Sequence, residues 1–358
     1  MQQKSLRKQL FDLSGPIFIE TLLIILLGTV DIVMLSRHSD DTVAAVGVVN
    51  QLLNMVFIVF GVTTLGTSVL CSQYLGAGQK KNVVQTIGVS LLFNAIIGII
   101  ISAFLFFYGQ ELLQLMDLAP ALIDEGLPYM RIVGGFAFVQ AIALTLSAIL
   151  RSHNMAYYPM RVTLLINIVN IIGNYTLIFG KFGAPPLGVS GAAISTSVCR
   201  FIAMSLLLFL LFKKVERKFP IVWFRPFPID KLKNLLTVGL PAAGEQVSYN
   251  LSQVVVTYFT ILIGTTALTT RTYAMNIVRF TYRFAVAIGQ GGAICIGHLV
   301  GGEKQKAAYI LQRYCMKWSI MISLGMAIVT AVLGYTIFHF LTPNPDIIRL
   351  GVIILCID

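Results

Sequence analysis

Asp31 is the one acidic residue of the text GTVDIVM, inside an otherwise apolar run. A carboxylate in hydrocarbon is so unfavourable that an intramembrane acid faces a cavity or a partner and marks an ion or proton pathway. The alternative is a helix that ends earlier, leaving Asp31 at the interface near Asp40. Asn167, Asn170 and Asn174 lie in a later apolar run, and spacings of three, four and seven put them on one helical face. Lipid offers an amide no hydrogen-bond partner, so that face turns inward, as a polar site or as glue between helices. Glu245 and Gln246 stand four and five residues after Pro241, as Glu20 stands four after Pro16; a shared backbone-capping role is the plainer reading of the two glutamates. Each proline removes a backbone donor and can kink or open a turn, unless it simply occupies a helix start. Arg279 and Arg283, with Arg271 nearby, share a face of a further apolar run. They reach Glu245 or Asp358 across a bundle, or snorkel. Tyr249, Tyr258 and Tyr273 offer rings for cation–π contact with an organic cation, or for packing.

Other chemistries find little footing. No His, Cys, Asp or Glu set has metal-ligand spacing, and Cys71, Cys199, Cys295, Cys315 and Cys356 are isolated without a CxxC pair, which suits small buried hydrophobes. No Ser/His/Asp set converges, so an enzyme is not expected. The glycine-rich texts at 76–78 and 301–303 lack the GxxxxGK[ST] pattern of a phosphate loop and read as helix-ending turns.

The elements that position these residues follow from composition. Apolar residues make up 57% of the 358, charged residues 11%, and mean hydropathy is +0.84, against roughly 25% charged in a soluble domain. Runs long enough to cross about 30 Å of hydrocarbon recur at 12–35, 44–72, 84–108, 126–150, 162–180, 187–212, 235–263, 270–298 and 313–338, with another beginning near 347. The expected fold is an all-α polytopic membrane protein with about nine complete helices plus the start of a tenth. The first run follows a basic start without a cleavage site and reads as a spanning helix, not a signal peptide. Alternate loops are basic, from Lys4, Arg7 and Lys8 through Lys80, Lys81, Arg151 and Arg161 to Lys304 and Lys306. The positive-inside rule therefore places the N-terminus and the 213–234 linker in the cytoplasm. The formal charge of +11 belongs to this pattern, and nucleic-acid binding is not expected.

The chain also repeats itself at an offset of 225 residues: Pro16 falls on Pro241, Glu20 on Glu245, Gly76 on Gly301, Lys81 on Lys306 and Pro120 on Pro345. Six helices per repeat would make the halves parallel, two six-helix bundles in an intact form. The expected organisation is an N-terminal six-helix bundle over 1–212, a basic cytoplasmic linker over 213–234 and an incomplete C-terminal bundle over 235–358. By the same offset, roughly 80 residues of the second repeat are absent beyond Asp358.

With LSGPIFIE and GTVDIVML, SQYLGAGQKKNV, ILRSHNMAYYPM, NIVNIIGNYTLIFG, PPLGVSGAAISTS and VGLPAAGE in this order, the chain resembles the multidrug and toxic compound extrusion (MATE) family of cation-coupled antiporters. The resemblance implies export of an amphipathic, cationic small molecule by a monomer in the cell membrane, with protons or sodium ions as coupling ion and no other cofactor. It assigns cation coupling to Asp31, Asn170, Asn174, Thr196 and Glu245, and bending to Pro16 and Pro241. Gln246, Tyr249, Tyr273, Arg279 and Arg283 are candidate lining of the substrate cavity. Some relatives carry aspartate where this chain has Asn174, which leaves Asp31 fewer anionic companions. A lipid-linked oligosaccharide flippase of the same larger group, and a non-transporting truncated product, are the alternatives.

Overall fold

In lipid every backbone N–H and C=O must be satisfied within its own segment, so long apolar runs become long helices. The computed structural model describes residues 2–37, 39–116, 118–216, 220–341 and 345–357. In chain order the helices are α1 (Gln2–Ser36), α2 (Asp40–Gly76), α3 (Lys80–Phe107), α4 (Gly109–Leu115), α5 (Pro120–Tyr129) and α6 (Ala137–Ser152). They continue as α7 (Tyr157–Phe179), α8 (Gly188–Leu210), α9 (Ile229–Ile263), α10 (Thr265–Gly301), α11 (Gln305–Leu341) and α12 (Pro345–Ile357). Among the described residues, seven helices are long and apolar enough to span a membrane, or eight if a bent pair is one span.

The expected count of nine complete helices and the start of a tenth is corrected to twelve α-helices, eight of them before residue 213, so six per bundle is not the number they give. Breaks that hydropathy does not register account for the difference. The chain leaves the helix at Tyr108 (φ −106°, ψ 15°), which separates α4 from α3. The expected 126–150 span starts at Pro120 and bends by 47° between Pro120–Gly134 and Ala137–Ser152. Pro128 removes a backbone donor there, and a π-helical turn over Met130–Gly134 takes up the misfit. The last piece is a 13-residue helix of its own.

α1 packs along α7 and α10, α7 on α8, and α2 on α9 and α10. One buried apolar cluster joins α2, α5 and α8 through Val49, Tyr129 and Ala193. Another joins α1, α10 and α11 through Leu13, Ile288 and Leu311. The 213–234 segment folds back on the first helices: Lys80 pairs with Glu216 at 3.0 Å, Gln85 donates to the Trp223 carbonyl at 2.5 Å, and Lys231 is buried over the Tyr74 ring. Its Arg217 and Lys218 lie outside the described residues.

Where α2 and α10 end, their backbones meet without side chains between them. A Cβ on Gly76 would strike the His298 carbonyl, and a Cβ on Gly301 would strike the Gln73 carbonyl. Under the 225-residue offset these are one contact made twice. Valine at Gly76 or Gly301 must push the helices apart, at a cost of at least about 1–3 kcal/mol. We expect either variant to lower the melting temperature of the purified protein in thermal unfolding. Gly61→Ala, with open space around it, should leave it unchanged or raised.

Candidate functional site

The amide face of α7 meets α1. Asn174 Nδ2 donates to Asp31 Oδ1 at 2.6 Å and to Asn170 Oδ1 at 3.0 Å. Asn170 Nδ2 reaches Ser195 Oγ on α8 at 3.4 Å, and Ser195 Oγ donates to the Asn170 carbonyl at 3.3 Å. About two turns from Asn174 toward the N-terminus of α7, Asn167 Nδ2 donates to the Leu23 carbonyl of α1 at 2.7 Å. All three asparagines are buried, so their spacing does what an inward polar face requires. A hydrogen bond to a charged acceptor contributes about 1.5–3 kcal/mol, roughly twice a neutral one, and leaving a buried partner empty costs about 1–3 kcal/mol. The Asp31–Asn174 bond thus holds α1 and α7 in one register.

Three further helices close over this pair. The bend after α5 brings the Tyr129 hydroxyl within hydrogen-bonding reach of Thr196 on α8 and Asn50 on α2. Arg200, one turn beyond Thr196, lays its guanidinium over the Phe57 ring of α2 at 5.3 Å, within the electrostatic field of both Asp31 and Tyr129. Its Nη1 is buried without a partner, as are Asn174 Oδ1 and Ser197 Oγ. Asp31, Asn170 and Asn174 are therefore one hydrogen-bonded group, and Thr196 belongs to the same pocket through Tyr129.

Sequence reasoning missed Arg200, Tyr129, Asn50 and Phe57. Arg200 had a visible signal: an arginine inside the apolar run 187–212, where a charge marks a site as surely as Asp31 does. Tyr129 had none, because nothing in the text places a bend beside α8.

The remaining candidates sit apart. Glu245, Gln246 and Tyr249 are exposed on α9, whose main neighbour is α2. Tyr273 packs edge-on against Phe338 of α11, centroids 6.4 Å apart. Arg283 is exposed, and the Arg279 side chain and Asp358 lie outside the described residues. Arg271 ties α10 to α9, its Nη1 to Thr257 Oγ1 at 2.7 Å and its Nη2 to Gln253 Oε1 at 2.6 Å. Pro16 and Pro241 both lie inside long helices, not at helix starts, so each leaves the carbonyl four residues earlier without its helical donor. No group of three or more His, Cys, Asp or Glu side chains among the described residues is arranged to hold a metal.

A second polar group lies nearer the N-terminal end of α1. Glu20, expected as a possible cap, and Arg151, expected as a loop charge, form an ion pair at 3.2 Å between α1 and the end of α6, the glutamate buried and the arginine half-buried. Beside it His298 Nε2–H of α10 donates to the Ser152 carbonyl at 2.7 Å, and His153 Nδ1–H donates to the Ile149 carbonyl at 2.8 Å.

The helical bundle thus holds a half-buried acid against an amide face among apolar helices. The MatE family pattern matches residues 16–176 and again 241–357, at the same 225-residue offset. The chain belongs to the MatE family and is a MATE-type secondary transporter. It is 42% identical to the transporter YisQ of Bacillus subtilis (strain 168) over 342 residues, which take in 95% of this chain and 74% of that protein. To the multidrug resistance protein NorM of Vibrio cholerae it is 24% identical, over 96% of this chain and 75% of the relative. Among solved structures, a MATE protein in its bent conformation matches with a TM-score of 0.88 at 20% identity, covering 98% of this chain and 77% of that one. A MOP-superfamily transporter from Pyrococcus furiosus, described as having a binding pocket of reversed polarity, gives 0.87 at 20% identity, over 98% and 78%. These structures share the fold.

The histidine beside the second group makes acid stability testable. Burial holds the His153 imidazole below its usual 6.5, outweighing the Ile149 carbonyl, which favours the protonated ring; nearby His298 adds to the lowering. The unfolded chain then binds more protons than the folded one as pH falls through 6.5, so folded-state stability rises with pH across that window. The melting temperature should fall as pH drops from about 7.5 to about 5. The drop should be smaller in His153→Gln, whose amide keeps a donor for Ile149.

Proposed function

We propose that the chain is a secondary active antiporter that exports amphipathic organic cations, drugs among them, in exchange for inward-moving protons or sodium ions. It works as a monomer in the cell membrane, with its N-terminus and the 213–234 linker in the cytoplasm. The observation that carries this reading is the 2.6 Å hydrogen bond from Asn174 to Asp31, made between the C-terminal turns of two long apolar helices, α7 and α1. Anionic Asp31 holds α7 through that bond; a proton or sodium ion on the carboxylate weakens the hold. Loss of about 1.5–3 kcal/mol shifts a two-state equilibrium between α1 arrangements roughly ten- to hundredfold, which is the bias alternating access requires. Asn170 and Thr196 set the carboxylate's surroundings, and Pro16 supplies the place where α1 gives.

Residues 1–212 and 235–358 then rock against each other about the α2–α10 contact. Glu245 on α9, with Gln246 and Tyr249, presents an acid and an aromatic ring to a cationic substrate, and Pro241 gives α9 its own flexible point. Tyr273, Arg279 and Arg283 extend the lining from α10. The multidrug resistance relatives support the choice of drug-like cations.

Ethidium efflux from proteoliposomes, driven in turn by an imposed proton and an imposed sodium gradient, tests the reading. Wild-type protein should respond to one gradient, Asp31→Asn should lose at least tenfold of that rate, and Asn174→Leu several-fold. Gradient-independent wild-type behaviour, or full activity in Asp31→Asn, would sink it.

A further inference from the structure

We infer that Glu20, held by Arg151, is a second protonation station, and that the polar seam between α1 and α7 carries a proton from Asp31 to it and on to the water at the N-terminal end of α1. The inference rests on the antiport reading and commits its coupling ion to the proton.

Geometry lays out the seam. Glu20 and Asp31 are eleven residues apart, about three helical turns, so they share one face of α1 roughly 16 Å apart along its axis. On α7, Asn167 and Asn174 are separated by about two turns and bond to α1 at Leu23 and Asp31. The two helices therefore run side by side in the same direction, with amides facing the stretch between the two acids. Glu20 is 5% exposed. Its Oε1 accepts from Arg151 Nη2 at 3.2 Å, while its Oε2 has no partner. Arg151 Nε, Asn167 Oδ1 and Asn174 Oδ1 are likewise buried and unpartnered. Buried polar atoms of this kind are met by ordered water, so the unpartnered atoms mark water positions along the seam. Arg–carboxylate pairs frequently engage both oxygens in a bidentate fork; this pair uses one. The other carboxylate oxygen is left open, and Asn167, bonded to α1 one turn away at Leu23, has an open acceptor of its own. Single acceptors spaced along a seam suit a proton passed between waters, whereas a sodium ion needs several oxygens around one point.

The field at Glu20 is simple. Arg151 from α6 is the charged group that faces it among the described residues, and α7 presents the neutral Asn167. α10 meets α1 through Phe284 stacked on Phe18, through Gly291 against Ser14 and through Cys295 in the cluster with Leu13, while its His298 is engaged by the Ser152 carbonyl next to Arg151. In the transfer, the O–H bond of protonated Asp31 breaks, the proton passes along the waters, and an O–H bond forms at Glu20 Oε2. It then leaves to bulk water as hydronium, and the carboxylate returns to Arg151. No electrons change hands.

Two measurements on the full chain in lipid test this. Infrared difference spectra across a pH titration should show two protonated-carboxyl bands, one lost in Asp31→Asn and the other in Glu20→Gln. No band belonging to Glu20 overturns the inference. In proteoliposomes, Glu20→Gln should slow proton-driven ethidium efflux at least tenfold while changing ethidium affinity less than twofold. The double variant Glu20→Gln, Arg151→Gln keeps a neutral hydrogen-bonded pair, so it should stay as slow if Glu20 carries protons. Recovery of efflux in that variant, or wild-type rates in Glu20→Gln while Asp31→Asn is inactive, overturns the inference. An active Asp31→Asn instead removes the antiport reading, and the Glu20 band still decides whether the second station titrates.

Discussion

The hydrogen bond from Asn174 to Asp31 fixes the arrangement of the first half of this molecule. A carboxylate among apolar helices is poorly solvated, so a donor from a neighbouring helix at a defined height stabilises it. Asn174 supplies it, and the rest of the asparagine face then falls against α1 turn by turn, down to the Leu23 carbonyl. α8 is drawn in through Ser195. The bent α5–α6 pair places Tyr129 against Thr196. Packing alone would not choose this register, because lipid tails are as apolar as the leucines that fill the interfaces.

Charge is distributed along α1 in two different ways. Glu20 touches its arginine at 3.2 Å. Asp31 shares a field with Arg200, but no ion-pair contact joins them among the described residues, and the guanidinium rests on Phe57 instead. Asp31 is thus held to its neighbouring helix by a neutral amide, whereas Glu20 is held by a charge. Two acids on one face of one helix thus have different partners, set by how near each arginine comes.

What could be read in the text was whatever obeys a helical period. The asparagines at 167, 170 and 174 announced an inward face, and the 225-residue offset announced the two matches of the family pattern. What could not be read was where a helix stops being straight. The 126–150 run is apolar throughout, yet Pro128 and the π turn after it divide the run, and that division is what delivers Tyr129 to the site. Arg151 looked like a loop charge because it ends an apolar run; only the approach of α1 to α6 shows it inside, against Glu20. Glu245 shows that sequence equivalence does not carry over to surroundings. Its equivalence to Glu20 in the repeat is real in sequence, but Glu20 is buried against an arginine while Glu245 is exposed on α9.

The paired glycine contact between α2 and α10 has the form of an isologous interface, in which residue i of one copy meets residue j of the other and j meets i. Gln73 and Gly76 stand to Gly301 and His298 as two subunits of a dimer stand to each other, although one polypeptide carries both. Such a surface is complementary to itself. A single repeat bearing it already contains the information for its own partner, so joining two repeats in one chain fixes their stoichiometry without inventing a new contact. It also leaves room for the two sides to differ: Gln73 is the counterpart of a histidine, and that histidine, His298, bonds the Ser152 carbonyl at the end of α6.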